Sequence, residues 1–209
     1  MRGPRKVRAV PALILFTTLI FIYQLTLNGW QEDRLIRMFG LSVAGLESGR
    51  WWEFVTHAFL HGNLIHFLCN MLALWFIGRL VEPVLGAFNF VLLYLVSAIG
   101  GGVAQVLLGA SGASLIGASG AVCGVLLAFT TMYANTEVIA LIFFIIPVRL
   151  KAKYLGYGLI VLTLIAMAFH FEMWIGHAAH LGGAITGYLF IRFSGLGQKS
   201  WLERLLIRA

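Results

Sequence analysis

The sequence has few charged residues, and this shortage excludes most soluble folds. Aspartate, glutamate, lysine and arginine together make up 11% of the 209 residues, whereas 60% are hydrophobic. A soluble domain of this length needs about 25% charged residues to cover its surface. We therefore expect lipid to be the solvent for most of the surface, and we expect a chain this short to form one membrane-embedded domain.

Acidic residues are scarcer than basic ones: there are 8 against 15 lysines and arginines, which gives a net charge of +7. In a soluble protein this excess would suggest a nucleic-acid partner. In a membrane protein it has a simpler explanation, because lysine and arginine concentrate in cytoplasmic loops. The composition therefore predicts that the partner is the lipid bilayer and that the protein binds no nucleic acid.

Cysteine is almost absent as well. Cys69 and Cys123 both lie inside apolar stretches, and neither has the spacing of a metal site. One pair does not build the disulfide framework that small secreted proteins use. The sequence therefore predicts neither a disulfide-stapled fold nor a cysteine metal site.

Long apolar stretches are abundant. A helix needs about 20 mainly apolar residues to cross roughly 30 Å of hydrocarbon. One apolar stretch, 137–147, is too short to span the membrane, and we expect it to lie at the interface or to re-enter the membrane. The predicted fold is an all-α integral membrane protein with six transmembrane helices. The candidate spans are 9–27, 57–78, 87–108, 116–134, 153–170 and 176–194.

The distribution of basic residues predicts the orientation. If the N-terminus is cytoplasmic, twelve lysines and arginines fall on the inner side and three on the outer side, which favours both termini inside. The basic N-terminus 1–8 and the basic tail 195–209 then flank a membrane domain at 9–194. The first span is too long for the apolar core of a signal peptide, so we expect it to be retained. We expect a cell (inner) membrane location.

The segment 28–56, between the first two spans, is unlike a simple connector. It carries Trp30, Trp51 and Trp52 together with charges of both signs. Tryptophan favours the headgroup level of a bilayer, where its ring is half wet. We therefore expect this outer loop to be half-submerged in the outer leaflet.

Polar clusters interrupt three of the spans. Such groups are costly inside a membrane, so each is a functional candidate. Spans two, four and six run in the same direction, and each cluster lies near an N-terminal end, so all three are expected in one outer layer. The clusters are His57, His61, His66 and Asn70; Gly117, Ala118, Ser119 and Gly120; and His177 and His180.

The spacing of glycines predicts that two of these clusters meet. Gly120 and Gly124 form one GxxxG stripe, and Gly183 and Gly187 form another. Small residues one turn apart let membrane helices approach closely, which would bring Ser119 near His180. A serine hydroxyl needs an adjacent base to act as a nucleophile, and an imidazole can serve as that base.

The second span is expected to supply hydrogen-bond donors for the same site. His66 and Asn70 are four residues apart and share one helix face. An imidazole and an amide can donate to a developing oxyanion, and so can the backbone N–H of Ser119 at a helix N-terminus.

Each cluster also has a simpler interpretation. Serine is common where membrane helices touch, and a single membrane histidine is more often a packing, proton-relay or metal residue than a base. His57 and His61 near the interface are either solvated, together with Asn63, in a wet cavity or brace the outer loop. The histidine spacing alone also allows a metal site.

Taken together, the clusters resemble the rhomboid family of intramembrane serine proteases over about 50–195. The motifs that carry the resemblance are H-x-x-x-N at His66 and Asn70, G-x-S-G at Gly117 to Gly120, and A-H-x-x-G-x-x-x-G from Ala179 to Gly187. Each motif is weakly specific, but all three in order in a six-span chain are highly specific.

The resemblance implies a serine endopeptidase that cleaves transmembrane protein substrates near the outer ends of their helices. Ser119 would be the nucleophile and His180 the general base of a dyad without an acidic third member. His66, Asn70 and the Ser119 amide would form the oxyanion hole. The family uses no metal or organic cofactor.

The chain departs from the family pattern at two positions. The family often has Trp-Arg in the outer loop, but here Trp52 is followed by Glu53. It also commonly has an aromatic residue four positions after the serine, which stacks on the catalytic histidine. Here that position is Cys123, which shares a helix face with Ser119 and is a candidate to line the site, but has no ring to stack.

Two other functions stay open from the sequence. One is an inactive relative that binds transmembrane segments, although such proteins usually lack the serine or the histidine. The other is a small transporter or proton-relay protein built on the histidines. A transporter would need a charged path across the membrane, and the histidines here stop in the outer half.

Overall fold

The computed structural model describes residues 7–109, 114–142, 145–169 and 176–196. The start of the basic N-terminus, the end of the predicted fifth span at His170 and most of the predicted tail lie outside these ranges. The described elements are α1 (Ala9–Leu25), α2 (Gly29–Phe39), α3 (Val43–Glu47), α4 (Glu53–Thr56), α5 (Leu64–Leu85), α6 (Ala87–Leu108), α7 (Ser119–Met132), β1 (Glu137–Ile142), β2 (Ile146–Lys151), α8 (Ala152–Ala168) and α9 (His177–Ser194).

The apolar stretches form helices, because a helix satisfies its own backbone hydrogen bonds where lipid offers none. Among the described residues, α5 and α6 are long and apolar enough to cross a membrane, and α1, α7 and α8 are shorter apolar helices. Many large apolar side chains stay exposed, including Leu19, Phe76 and Leu162. Such a surface fits lipid as its surroundings better than water.

The predicted second span begins too early. The structure starts α5 at Leu64, after Asn63, whose side chain accepts a hydrogen bond from the His66 backbone N–H at 2.8 Å. An asparagine in this capping position marks the first turn of a helix. His57 and His61 therefore precede α5; His57 opens a single 3₁₀ turn that ends at Phe59.

The all-α prediction needs a correction at 137–147. Strands β1 and β2 pair antiparallel, with Glu137 opposite Lys151 and Ile142 opposite Ile146. The stretch is rich in β-branched residues, which favour strands, and it is too short for a spanning helix. The backbone therefore satisfies its hydrogen bonds between two short strands rather than within one helix.

Helix α7 lies at the centre of the bundle, with α5, α6, α8 and α9 packed around it. Eleven of its fourteen residues are buried. The outer loop instead forms three short helices, of which α2 begins with a capping box between Asn28 and Gln31 and buries no residue. Ser119 thus lies at the N-terminal end of the central helix of the bundle.

Candidate active site

Ser119 and His180 lie in hydrogen-bond contact. The Ser119 Oγ is 2.7 Å from the His180 Nε2, although the two residues are 61 positions apart in the chain. Ser119 is the first residue of α7, and His180 lies in the first turn of α9. Both side chains are partly exposed rather than sealed. This is the arrangement in which an imidazole can take a proton from a serine hydroxyl.

Glycines bring the two helices into backbone contact just below this pair. A side chain added at Gly183 would collide with the Gly120 carbonyl oxygen, and one added at Gly187 would collide with the Gly124 carbonyl oxygen. Helix α6 joins the contact through Gly101, where an added Cβ would lie 2.7 Å from the Ala179 carbonyl oxygen. Only glycine allows this approach, so the stripes determine the distance between Ser119 and His180.

Gly117 shapes the turn that leads into Ser119. Its φ of +122° lies in a region that residues with a side chain rarely adopt. Its N–H donates to the His57 carbonyl oxygen at 2.9 Å. An added Cβ would lie 2.7 Å from the His66 Nε2, so the His66 ring lies directly against this turn.

The outer loop holds the segment that precedes Gly117. Leu41 and Leu115 form a two-way backbone bridge, with N···O distances of 2.9 and 2.8 Å. Leu41 lies between α2 and α3, and its side chain is buried. The approach to Ser119 is therefore tied to a distant part of the chain through main-chain hydrogen bonds that no side-chain pattern reveals.

His66 and Asn70 both lie on α5, and the His66 ring contacts the turn at Gly117. The His66 side chain is partly exposed, and Asn70 is 5% exposed. The Asn70 side-chain amide donates to the His66 carbonyl oxygen at 2.8 Å, which uses one of its two N–H groups. The second N–H is not engaged by this bond.

His57 and His61 do not line an open wet cavity, in contrast to one of the interpretations above. Each is 1% exposed. The His61 ring packs at 5.1 Å from the His66 ring and at 5.5 Å from the Phe67 ring. Gln24 on α1, which sequence reasoning missed, binds the His61 backbone twice, at 3.0 and 3.1 Å. Its amide in an otherwise apolar helix was the available signal.

Comparison with known proteins decides the family. The family model for the Rhomboid domain matches residues 48–195, more than two thirds of the chain.

The chain belongs to the rhomboid family.

The predicted resemblance to the rhomboid family is thereby confirmed, and the fold is that of a helical membrane protein.

Three relatives show how far the similarity extends. The chain is 28% identical to rhomboid protease GluP of Bacillus subtilis over 200 residues, which is 94% of this chain and 37% of GluP. It is 29% identical to rhomboid protease AarA of Providencia stuartii over 202 residues, which is 85% of this chain and 69% of AarA. It is 33% identical to RHOMBOID-like protein 4 of Arabidopsis thaliana over 160 residues, 73% of this chain and 36% of the relative. The chain thus spans well under half of GluP.

Glu53 replaces the arginine that rhomboids often carry after the loop tryptophan, and the structure has an alternative brace at this point. The Glu53 carboxylate is fully buried. It accepts hydrogen bonds from the Arg50 Nε at 2.7 Å and from the Ser42 backbone N–H at 3.0 Å. The loop thus carries an ion pair in which Glu53 is the acidic residue and Arg50, three positions before it, is the basic residue.

Cys123 is buried one turn after Ser119, against Leu127 and Ala184. It therefore fills space on the α7 face where other rhomboids carry a ring. Among the described residues, the His177 ring lies beside the His180 ring, with centroids 6.1 Å apart and nearly perpendicular planes. Within the described ranges, no three histidine, cysteine or acidic side chains are grouped so that they could hold a metal ion.

Proposed function

We propose that this rhomboid family member is an intramembrane serine endopeptidase. It hydrolyses peptide bonds in or near transmembrane segments of membrane proteins through a Ser119–His180 dyad. The observation that carries the proposal is the 2.7 Å contact between the Ser119 Oγ and the His180 Nε2. Support also comes from two relatives, GluP and AarA, that are named rhomboid proteases.

The proposed chemistry has two halves. His180 takes the Ser119 proton as Ser119 Oγ attacks the scissile carbonyl carbon, and His180 then returns a proton to the leaving amine. The product is an acyl-enzyme on Ser119. Water, deprotonated by His180, attacks this ester, and the released serine regains its proton. Among the described residues, the groups that contact the His180 ring are the Ser119 hydroxyl and the His177 ring, and neither is acidic, which supports a dyad without a carboxylate.

The oxyanion formed in each half would be stabilised by three donors: the Ser119 backbone N–H, the His66 ring and the Asn70 amide. The Ser119 amide stands at the start of α7, where backbone N–H groups lack helical acceptors. The His66 ring lies against the turn at Gly117. A single donor of this kind contributes on the order of 3 kcal/mol to the transition state.

The proposed topology is multi-pass in the cell membrane. Helices α1, α5, α6, α7, α8 and α9 each cross, both termini are cytoplasmic, and the dyad lies towards the outer face. The twelve-to-three distribution of basic residues supports this orientation. Substrates would be transmembrane proteins that reach Ser119 from the outer half of the bilayer.

Reconstitution with a transmembrane substrate tests the dyad. We expect the purified protein in liposomes to cleave it, and we expect Ser119→Ala and His180→Ala to lower the rate by at least about 10³-fold. Ser194→Ala, at the far end of α9, is the matched control and should retain activity, since its hydroxyl bonds locally, donating to the Ile191 carbonyl oxygen and accepting from the Leu196 backbone N–H. A fluorophosphonate probe should label Ser119 only when His180 is present. Full cleavage by Ser119→Ala would refute the dyad, and binding of the substrate without cleavage by the native chain would favour an inactive relative.

A further inference from the structure

A cavity of about 450 Å³ lies between α7, α8 and α9, at the opposite end of α7 from Ser119. Its size falls within the range of about 300–1,000 Å³ that is usual for small-molecule sites. Thr130, which lines it, follows Ser119 by eleven residues on α7, or about 16 Å along the helix at 1.5 Å per residue. The cavity is therefore separate from the dyad.

The cavity has an apolar side and a polar end. Its apolar wall comes from residues such as Leu127, Ile160 and Ile185, and its polar groups are Lys153 and the hydroxyls of Thr130, Thr131, Tyr157 and Tyr188. Tyr157 is 59% exposed, Tyr188 44% and Ile185 46%, so the cavity opens outwards between α8 and α9. In a bilayer this opening faces lipid.

Lys153 supplies a positive charge at the polar end of the cavity. Lys153 is held in place because its backbone N–H donates to the Ala134 carbonyl oxygen at 3.1 Å. Arg149 and Lys151 precede it on β2. Glu137 lies opposite Lys151 in the hairpin register and offsets at most one of the three cations. Within the part of the chain that the structure describes, neither Arg149 nor Lys153 forms a salt bridge.

We propose that this cavity binds one anionic phospholipid of the inner leaflet. The phosphate would accept hydrogen bonds from Lys153 Nζ and from the Tyr157 and Tyr188 hydroxyls, and an acyl chain would lie along Leu127, Ile160 and Ile185. Basic pockets between transmembrane helices on the cytoplasmic side suit anionic headgroups. The inference rests on the orientation proposed above, which puts this end of α7 at the inner leaflet. A bound lipid would link α8 to α7 and α9.

Native mass spectrometry of the Ser119→Ala protein in detergent tests the proposal without depending on cleavage. We expect phosphatidylglycerol to bind at least about tenfold more tightly than phosphatidylcholine. Each cation near an anionic headgroup contributes about 1 kcal/mol, or roughly fivefold in affinity. Lys153→Gln should therefore weaken phosphatidylglycerol binding about fivefold. Adding Tyr188→Phe to this variant should weaken the binding further.

Matched controls separate a specific site from general attraction to basic residues. Arg79→Gln removes a cation that lies over the Trp75 ring on α5, away from the cavity, and should leave binding unchanged. Tyr154 lies outside the cavity lining, but Lys153 Nζ lies 5.5 Å from the centroid of its ring. Tyr154→Phe removes the hydroxyl, keeps this ring and should also have no effect. Ile185→Trp alters an exposed wall residue and should weaken binding without unfolding the protein.

Several results would overturn the proposal. One is binding of phosphatidylcholine as tight as that of phosphatidylglycerol, and another is an equal loss of phosphatidylglycerol binding in Arg79→Gln and Lys153→Gln. The others are displacement of the lipid by inorganic phosphate and protein dimers in place of lipid adducts. A chain that cleaves substrate but fails these tests refutes the lipid site alone. If phosphatidylglycerol binds at this cavity but the native chain never cleaves substrate, only the proposed protease function is refuted.

Discussion

At the scale of single residues, Glu53 shows how a reversed charge is accommodated. A buried carboxylate is costly unless its oxygens are hydrogen-bonded, and here they accept from Arg50 and Ser42. Ser42 follows Leu41, which binds Leu115 in the segment before Ser119. Ser42 and Leu41 thus connect the Glu53 carboxylate to the segment that precedes Ser119.

Replacing Glu53 should therefore affect both stability and activity. We expect Glu53→Ala to lower the free energy of unfolding by about 1–3 kcal/mol, because the Ser42 N–H and the Arg50 guanidinium lose their acceptor. Cleavage should fall in parallel. The measurement is the unfolding midpoint in detergent together with the cleavage rate. Glu47→Ala, at an exposed position, is the control and should change neither. An unchanged midpoint for Glu53→Ala would show that the brace carries no stability.

Residue type and spacing indicated Ser119, His180, His66 and Asn70 as candidates before any geometry was available. They did not reveal the roles of Gln24 or Glu82. The Glu82 carboxylate accepts hydrogen bonds from the backbone N–H groups of Ala9 and Val10 at the start of α1, at 2.8 and 2.9 Å. These partners are more than 70 positions away, and a long-range cap of this kind leaves no local signature.

At the scale of elements, the contact between α7 and α9 decides whether the serine and the histidine meet. Gly120 and Gly183 face each other with no room for a side chain on Gly183. Lipid provides little hydrophobic driving force between helices, so close backbone packing of this kind stabilises their association. The distance between Ser119 and His180 therefore depends on residues that take no part in the chemistry.

Gly183→Ala tests this dependence. The added methyl group must push α9 away from the Gly120 carbonyl, and a displacement of about 1 Å at reacting groups can lower a rate about 100-fold. We expect a large loss of cleavage and of fluorophosphonate labelling. Gly158→Ala on α8 is the matched control, because a Cβ there meets nothing within 4 Å. It should keep activity and stabilise its helix slightly. Normal labelling of Gly183→Ala would mean that the helices tolerate separation.

The elements were predicted unevenly. Hydropathy located the third span at 87–108, the range that α6 occupies. It placed the start of the second span at 57 instead of Leu64, because Ala58, Phe59 and Leu60 extend the apolar stretch upstream of the helix. It also missed the β1–β2 hairpin, since a short apolar stretch fits a buried strand and a helix segment equally well.

At the scale of the whole molecule, the two proposed sites lie at opposite ends of the bundle. The dyad lies at the N-terminal ends of α7 and α9, and the cationic cavity lies at the opposite end of α7. Basic residues follow the same division, with most of them on the predicted cytoplasmic side. Both the proposed cleavage and the proposed lipid site depend on this orientation.

Reporter fusions test the orientation directly. Green fluorescent protein joined after Ala209 should fluoresce, because the C-terminus is expected in the cytoplasm, and alkaline phosphatase at the same point should be inactive. Alkaline phosphatase joined after Ser48, in the outer loop, should be active. The reverse pattern would place both termini outside and would contradict the proposed positions of the dyad and of the cavity.

The Ser119–His180 pair separates what the sequence predicts from what only the tertiary structure determines. Composition, hydropathy and the order of three motifs were enough to identify a helical membrane protein of the rhomboid family, because these properties reside in local residue types and spacings. The 2.7 Å contact, the brace at Glu53, the Leu41–Leu115 bridge and the cavity beside Lys153 were decided by the tertiary structure. Each joins groups from different elements or encloses space between them, and such distances depend on how the whole bundle packs.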